Sequence, residues 1–290
     1  MPSSNRPIKH VVALGHPKLP ETTPEATRVA EFLRQRGVQA ETGLIQDEAI
    51  RQRVSQGQVD LIIALGGDGT MLRAGHLGGE HEVPVLGINL GHFGFLMEIR
   101  QSQWPEMLER LLRGDYWLER RMMLCAEQWR GNERMGCYDV VNEVVVCRGQ
   151  IVRPLRLITH VDGRYLTTYV ADGLIASTPT GSTAYALAAG GPILPPELRN
   201  ILIVPVAPHL SVDRAIVLAE GSSVSITVRS DHQAVFSIDG QPPVQLEDGD
   251  RVDARAGEHS MQFVRFQDPG YFYRNLTPHM NQNPSAGNSR

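Results

Sequence analysis

DLIIALGGDGT, residues 60–70, runs an unbroken apolar segment into glycines at 66, 67 and 69 that flank a single carboxylate, Asp68. The apolar run reads as a strand buried on both faces, the kind found in parallel sheets. Glycines just after it let the backbone turn sharply and approach a ligand closely. A loop between a strand and a helix start presents unpaired N–H groups to an anion, and the helix dipole reinforces them. Asp68 would repel phosphates if it merely sat among them. It makes sense there if it holds the cation that accompanies the phosphates, or if it takes a proton from an alcohol. Both point to phosphoryl transfer. The plainer alternative is a tight structural turn with a solvated aspartate. The loop matches neither the P-loop, which ends in Gly-Lys-Ser/Thr, nor the dinucleotide fingerprint.

Outward from this stretch, strand and helix signals alternate over the first hundred residues. Ile8–Leu14 and Val83–Ile88 read as strands like Val59–Leu65. Thr22, Thr23 and Pro24 open a helix whose Ala26, Val29, Ala30 and Leu33 share one face, and Gly37 is placed to end it. Weaker helical patterns cover 46–56 and 70–77, and another follows Pro105, with Met107, Leu108, Leu111 and Leu112 apolar before Gly114. This alternation predicts βαβ units and a mostly parallel sheet, whose ligands bind at the carboxyl ends of strands. Beyond residue 120 the pattern changes. Val140–Cys147, Arg156–Val161, Tyr165–Val170, Val224–Val228 and Met261–Phe266 are β-branched or aromatic, and Asp162-Gly163 is a two-residue hairpin signal. The expected fold is therefore an α/β N-terminal domain over 1–120 and a β-rich, sandwich-like domain over 121–267. The polar tail after about 278 reads as disordered.

The 290 residues suffice for two domains, and 41% hydrophobic with 21% charged residues is ordinary globular composition. A net charge of −4, from 28 basic and 32 acidic residues, argues against a nucleic-acid partner. There is no apolar run long enough to cross a membrane, and the N-terminus lacks a secretory core, so the expected location is the cytoplasm. Cys125, Cys137 and Cys147 read as free, buried thiols in a reducing compartment.

Further motifs follow in order. GINLGHFGFL, 87–96, repeats the strand-to-glycine device: Asn89, Gly91 and Gly94 suit a loop folding beneath a ligand, and Phe93 and Phe95 could wall a nucleotide or simply pack in the core. His92 stands alone and reads as structural. Asn142-Glu143 pairs a donor-acceptor with an acceptor, suited to ribose hydroxyls, although such pairs at strand ends are usually solvated. Between 172 and 196, Thr178, Thr180, Ser182 and Thr183 with Gly181 and Tyr185 form a polar, glycine-dense stretch that favours binding over an ordinary capped helix at 184–189. Ser237–Gln241 reads as a strand and a turn.

Together these stretches closely resemble the NAD kinases, which phosphorylate the adenosine ribose of NAD to give NADP. The match rests on GGDGT at 66–70, NLGHFGFL at 89–96, NEVVV at 142–146, DGLIASTPTGSTAYALAAGGPILPP at 172–196 and DGQ at 239–241. It extends from about residue 60 to 275, ending in FVRFQDPGYFYRNL, while the first sixty residues match only in their strand–helix pattern. The resemblance implies two domains, with 268–290 returning to the first. It implies ATP or polyphosphate as donor, a divalent cation such as Mg²⁺, NAD as acceptor and a homodimer or homotetramer. By motif position Asp68 matches the general base and Gly66, Gly67 and Gly69 the phosphate loop. Asn142 and Glu143 match the NAD-ribose contacts. Arg153, Asp172, Thr183, Ala184, Tyr185, Ala186, Leu187, Ala188 and Gln241 fall at further NAD-binding positions. VAPHLSVDR at 206–214 departs from the commoner family pattern by lacking Ser or Thr between His209 and Leu210. Lipid kinases of the diacylglycerol or sphingosine type share GGDGT but carry a different second motif. A catalytically silent NAD(H) sensor is the other rival, and it would have no need of Asp68.

Overall fold

The computed structural model describes residues 7–91, 94–209 and 212–281, with side chains to residue 276. The chain divides into two compact units, Met1–Arg120 with Met261–Arg290, and Arg121–Ser260. His92, Phe93, Leu210, Ser211 and the tail from 282 onward, all read above from sequence, lie outside the described residues.

In the first unit, strands β1 (His10–Gly15), β2 (Gln39–Leu44), β3 (Leu61–Gly66), β4 (Val85–Asn89) and β5 (Ile99–Arg100) are all parallel. Their order is β2-β1-β3-β4, with β5 beside β4. Helices α1 (Thr22–Arg34), α2 (Glu48–Ser55), α3 (Asp68–Gly79) and α4 (Trp104–Leu112) connect or follow them. Helices on such a sheet leave its central strands no wet face, and every residue of β3 is buried. α1 buries the foreseen stripe of Ala26, Val29, Ala30 and Leu33. The order places β1 between β2 and β3, so the strand sequence reverses at the β1/β3 pair. Ligands in open α/β sheets bind at such a reversal, and GGDGT leaves the carboxyl end of β3 there. Strand β2 escaped the sequence reading because its QAETGL carries no apolar run, and as an edge strand it needs none.

The second unit is built on antiparallel pairs. β6 (Trp117–Arg130) enters it from the first unit and hairpins with β7 (Glu133–Val140). There follow β8 (Glu143–Arg148), β9 (Leu155–Val161), β10 (Arg164–Ser177), the short helix α5 (Tyr185–Ala188), β11 (Ile201–Pro208), β12 (Ile216–Leu218), β13 (Ser223–Arg229), β14 (Ala234–Ile238), β15 (Val244–Leu246) and β16 (Arg251–Arg265). The ladder runs β15-β14-β8-β10-β9-β13-β16. Its core gathers Leu124, Val144, Val146, Leu157, Tyr169, Ile226 and Phe236 among others. The β9–β10 turn is the predicted Asp162-Gly163, with φ of 50° and 74°, the left-handed pair that a right-twisted hairpin demands. β16 returns the chain to the first unit, where Phe263 pairs with Val85 and helix α6 (Tyr271–Asn281) follows.

Three expectations are corrected. α3 begins at Asp68 rather than Thr70, because Gly67 takes the N-cap position. Residues 172–177, the start of the stretch read for binding and given no element from sequence, continue β10, paired with β8 and β11. α6 runs to Asn281, past the point where composition predicted disorder to begin.

Candidate active site

One cluster, within the first unit, grows from the end of β3. Gly66 has φ of +154°, and a Cβ there would stand 2.3 Å from Thr70 Oγ1, so the turn admits glycine alone. At Gly67 and Gly69 an added Cβ would meet nothing within 4 Å. The loop therefore borders open space at the start of α3, where the helix N–H groups and dipole favour an anion. Asp68 is the first residue of that helix. Its two carboxylate oxygens accept from the backbone N–H of Phe95, at 2.7 Å, and of Leu96, at 3.1 Å. These bonds use two of about four lone-pair sites and fix the carboxylate's plane. Gly94 makes the approach possible, since a Cβ there would lie 2.2 Å from Asp68 Cγ. Asn89 caps the same loop, its Oδ1 accepting from Gly91 N at 2.9 Å. Phe95 is half-buried and lines a small cavity with Met97, Glu98 and Tyr271.

A second cluster, within the second unit, is assembled around the start of β8. Glu143 is 6% exposed, and burial, then the charge of Asp239, push its carboxyl up to about 8, against the pull of the Tyr185 backbone N–H. Among the described residues its buried Oε2 has no hydrogen-bond partner. A buried polar atom left in that state is set for a hydrogen-bond partner such as a hydroxyl, which can both donate and accept. Asp239, with φ of 49° in the Asp239-Gly240 turn, accepts from the N–H groups of Val141, Asn142 and Glu143 at 2.8, 2.7 and 3.0 Å. On the other side, Thr178 N donates to the Asn142 carbonyl at 2.8 Å and Thr178 Oγ1 to that of Val141 at 2.6 Å. A Cβ at Gly181 would sit 2.2 Å from the Asn142 carbonyl oxygen.

The structure thus joins Asn142, Glu143, the 177–185 stretch and the 239–241 turn. Asp172 lies on β10 in an ion pair with Arg148, Nε to Oδ2 3.1 Å. Tyr185 is exposed, Ala186 is buried in an apolar cluster, and Leu187 is half-buried. Ala184 and Thr183 are half-buried, Ala188 exposed. Gln241 is exposed and closes the turn through its N–H to the Ile238 carbonyl. Arg153 is exposed on the segment after β8, and among the described residues no hydrogen bond or ion pair ties its side chain to this cluster.

Two readings change. The hydroxyls of Thr178 and Ser182 do not face a ligand: both side chains are fully buried, and Ser182 Oγ donates to the Pro179 carbonyl at 2.6 Å while accepting from Leu194 N at 2.9 Å. Nor are all three thiols buried. Cys137 is exposed and lies 3.4 Å, sulfur to sulfur, from buried Cys125, because the β6–β7 register sets them diagonally opposite. Sequence reasoning placed Gly94 in a ligand loop without foreseeing that it packs on Asp68, and it passed over Asp239 as a site residue. The signals were present: an Asp-Gly turn supplying an acceptor, and a second glycine loop one parallel strand from the first.

Family models of the ATP-NAD kinase N-terminal and C-terminal domains match residues 46–116 and 141–266. The NAD kinase of Chloroflexus aurantiacus is 37% identical over 269 residues, covering 93% of this chain and 97% of its own. The chain belongs to the NAD kinase family. That of Geotalea daltonii is 43% identical over 216 residues, covering 74% and 76%. Among solved structures, yeast NADH kinase complexed with NADH superposes with a TM-score of 0.84 at 25% identity, covering 98% of this chain and 91% of that one. The NAD kinase from Archaeoglobus fulgidus in complex with ATP gives 0.77 at 22% identity, covering 94% and 100%, a likeness of fold. NAD kinases and lipid kinases alike are phosphotransferases, so it is the match to both NAD kinase domain models, not the reaction class, that sets aside the lipid-kinase reading of GGDGT. Among the described residues no helix is long and apolar enough to cross a membrane.

Proposed function

We propose that this chain transfers the γ-phosphoryl group of ATP to the 2′-hydroxyl of the adenosine ribose of NAD, giving NADP, with Asp68 accepting the hydroxyl proton. The observation that carries this reading is a carboxylate held by two backbone N–H groups at the start of a helix, between glycines that leave space beside them. A ribose hydroxyl is a weak nucleophile and ATP is kinetically inert, so catalysis is mainly positioning and charge neutralisation. Gly66, Gly67 and Gly69 let backbone amides meet the donor phosphates. Asn142 and Glu143 take the ribose hydroxyls of NAD, Glu143 Oε2, without a partner among the described residues, being the natural contact. Arg153, Asp172, Thr183–Ala188 and Gln241 complete NAD recognition. The names and ligands of the relatives support this: NADH bound to the yeast enzyme and ATP to the archaeal one. In this reading the first unit serves the donor and the second the NAD.

A divalent cation such as Mg²⁺ offsets the phosphate charge in this chemistry. The described residues contain no ready cage of hard oxygen ligands; the one converging donor set, Cys125, Glu127 and Cys137, is thiol-rich. Mg²⁺ bound mainly through substrate phosphates needs no such cage, and Asp68 is the carboxylate of the phosphate loop. Polyphosphate as alternative donor, a homodimer or homotetramer and a cytoplasmic location belong to the same reading.

Asp68→Asn keeps the size and one acceptor oxygen but loses the basicity. It should cut kcat roughly 10²–10⁴-fold, the usual contribution of general-base assistance, with a smaller change in NAD affinity. Near-wild-type turnover in this variant would sink the assignment. Activity regained at high Mg²⁺ would instead make Asp68 a metal holder.

A further inference from the structure

Arg265, the last residue of β16, is 1% exposed yet carries a full charge into the first unit. Its Nε donates to Glu119 Oε2 at 2.8 Å, and its Nη1 donates to the Leu96 carbonyl at 2.9 Å. Glu119, 7% exposed, also accepts from the Tyr271 hydroxyl at 3.1 and 3.0 Å. The guanidinium carbon lies 4.8 Å from the ring centres of both Phe263 and Tyr271. A buried ion pair seldom adds net stability over well-packed apolar residues of similar volume, so stability alone is a weak reason for this one. What the guanidinium grips besides Glu119 is informative. Leu96 presents its carbonyl to Arg265 and its N–H to Asp68. A rigid fork with donors in one plane can span Glu119 and Leu96 together, whereas a lysine ammonium on a flexible stem is a single point.

We propose that Arg265, braced by Glu119 and Tyr271, is a positioning residue for Asp68: it fixes the 95–96 backbone whose N–H groups orient the carboxylate. Its effect on turnover rests on the reading of Asp68 as proton acceptor; its effect on the backbone does not.

Arg265→Met should lower kcat roughly 10–100-fold, as small displacements of catalytic groups do. KM for ATP and NAD should stay within about twofold, the pattern of an interaction needed in the transition state. Amide hydrogen exchange at Phe95 and Leu96 should speed up. Added to Asp68→Asn, the same change should cost almost no further turnover, because the group being positioned is already gone. An equal fold-loss in both backgrounds, or unaltered exchange at Phe95 and Leu96, overturns the proposal. Should Arg265→Met fail to fold, Arg265→Lys, which keeps the charge but not the fork, and Tyr271→Phe carry the same two measurements. Full turnover in Asp68→Asn would remove the proton-acceptor reading; faster exchange at Phe95 and Leu96 in the Arg265 variants would then still uphold the positioning role.

Discussion

At the scale of single residues, Asp68 is defined by what crowds it. Gly94 has no φ in the left-handed region, so it is glycine for space alone: any Cβ would occupy the carboxylate's own volume. Gly94→Ala should therefore displace Asp68 and lower kcat by roughly 10–100-fold while the melting temperature changes little, a split read by kinetics and thermal unfolding on one preparation. Glu143 gives a second residue-level test. Its carboxyl is raised from 4.5 to about 8 by burial and by Asp239. The native state thus keeps a proton that the unfolded chain releases, and stability is lost as pH rises through that window. Glu143→Gln removes this dependence. Its unfolding free energy should gain on the wild type between about pH 4.5 and pH 8, by at most about 1.4 kcal/mol per pH unit, read by chemical denaturation across that range. Parallel curves for the two proteins would contradict the raised value.

At the scale of elements, the approach to β8 is held from two sides, by the Asp239-Gly240 turn and by the 177–183 segment. Asp239→Ala strips the acceptor from three consecutive N–H groups, those of Val141, Asn142 and Glu143. A loss of about 1–3 kcal/mol in unfolding free energy is expected, together with a raised KM for NAD and a kcat less affected; chemical denaturation and initial rates test both. The 177–183 segment shows where composition misleads. Hydroxyl density signalled polar contacts correctly but not their partners: Thr178 and Ser182 satisfy backbone groups that a buried loop would otherwise leave unpaired. The site's carboxylates were legible as motif positions. Their restraints were not, because the Phe95 and Leu96 amides reach Asp68 only after two βα units have packed side by side.

At the scale of the whole molecule, the chain leaves its first unit along β6 and re-enters it along β16. Tyr271 and Phe272, 5% and 7% exposed, anchor the final helix there. Truncation after Gln267 removes both rings and the hydroxyl on Glu119. It should cost roughly 3–5 kcal/mol, the scale of deleting a buried aromatic side chain, or roughly 10 °C in melting temperature for a chain of this size. An unchanged melting curve would show that the helix adds nothing to the core. The sequence by itself determined the alternating, mostly parallel α/β character of the first unit, the hairpin at Asp162-Gly163 and the glycine loop bearing Asp68, since each follows from local periodicity or from backbone angles that few residues tolerate. Tertiary structure alone decided that Gly94 makes room for Asp68, that Asp239 ties down Asn142 and Glu143, and that Arg265 grips Leu96. Those contacts join residues far apart in the chain, and no local pattern encodes a partner that only folding brings near.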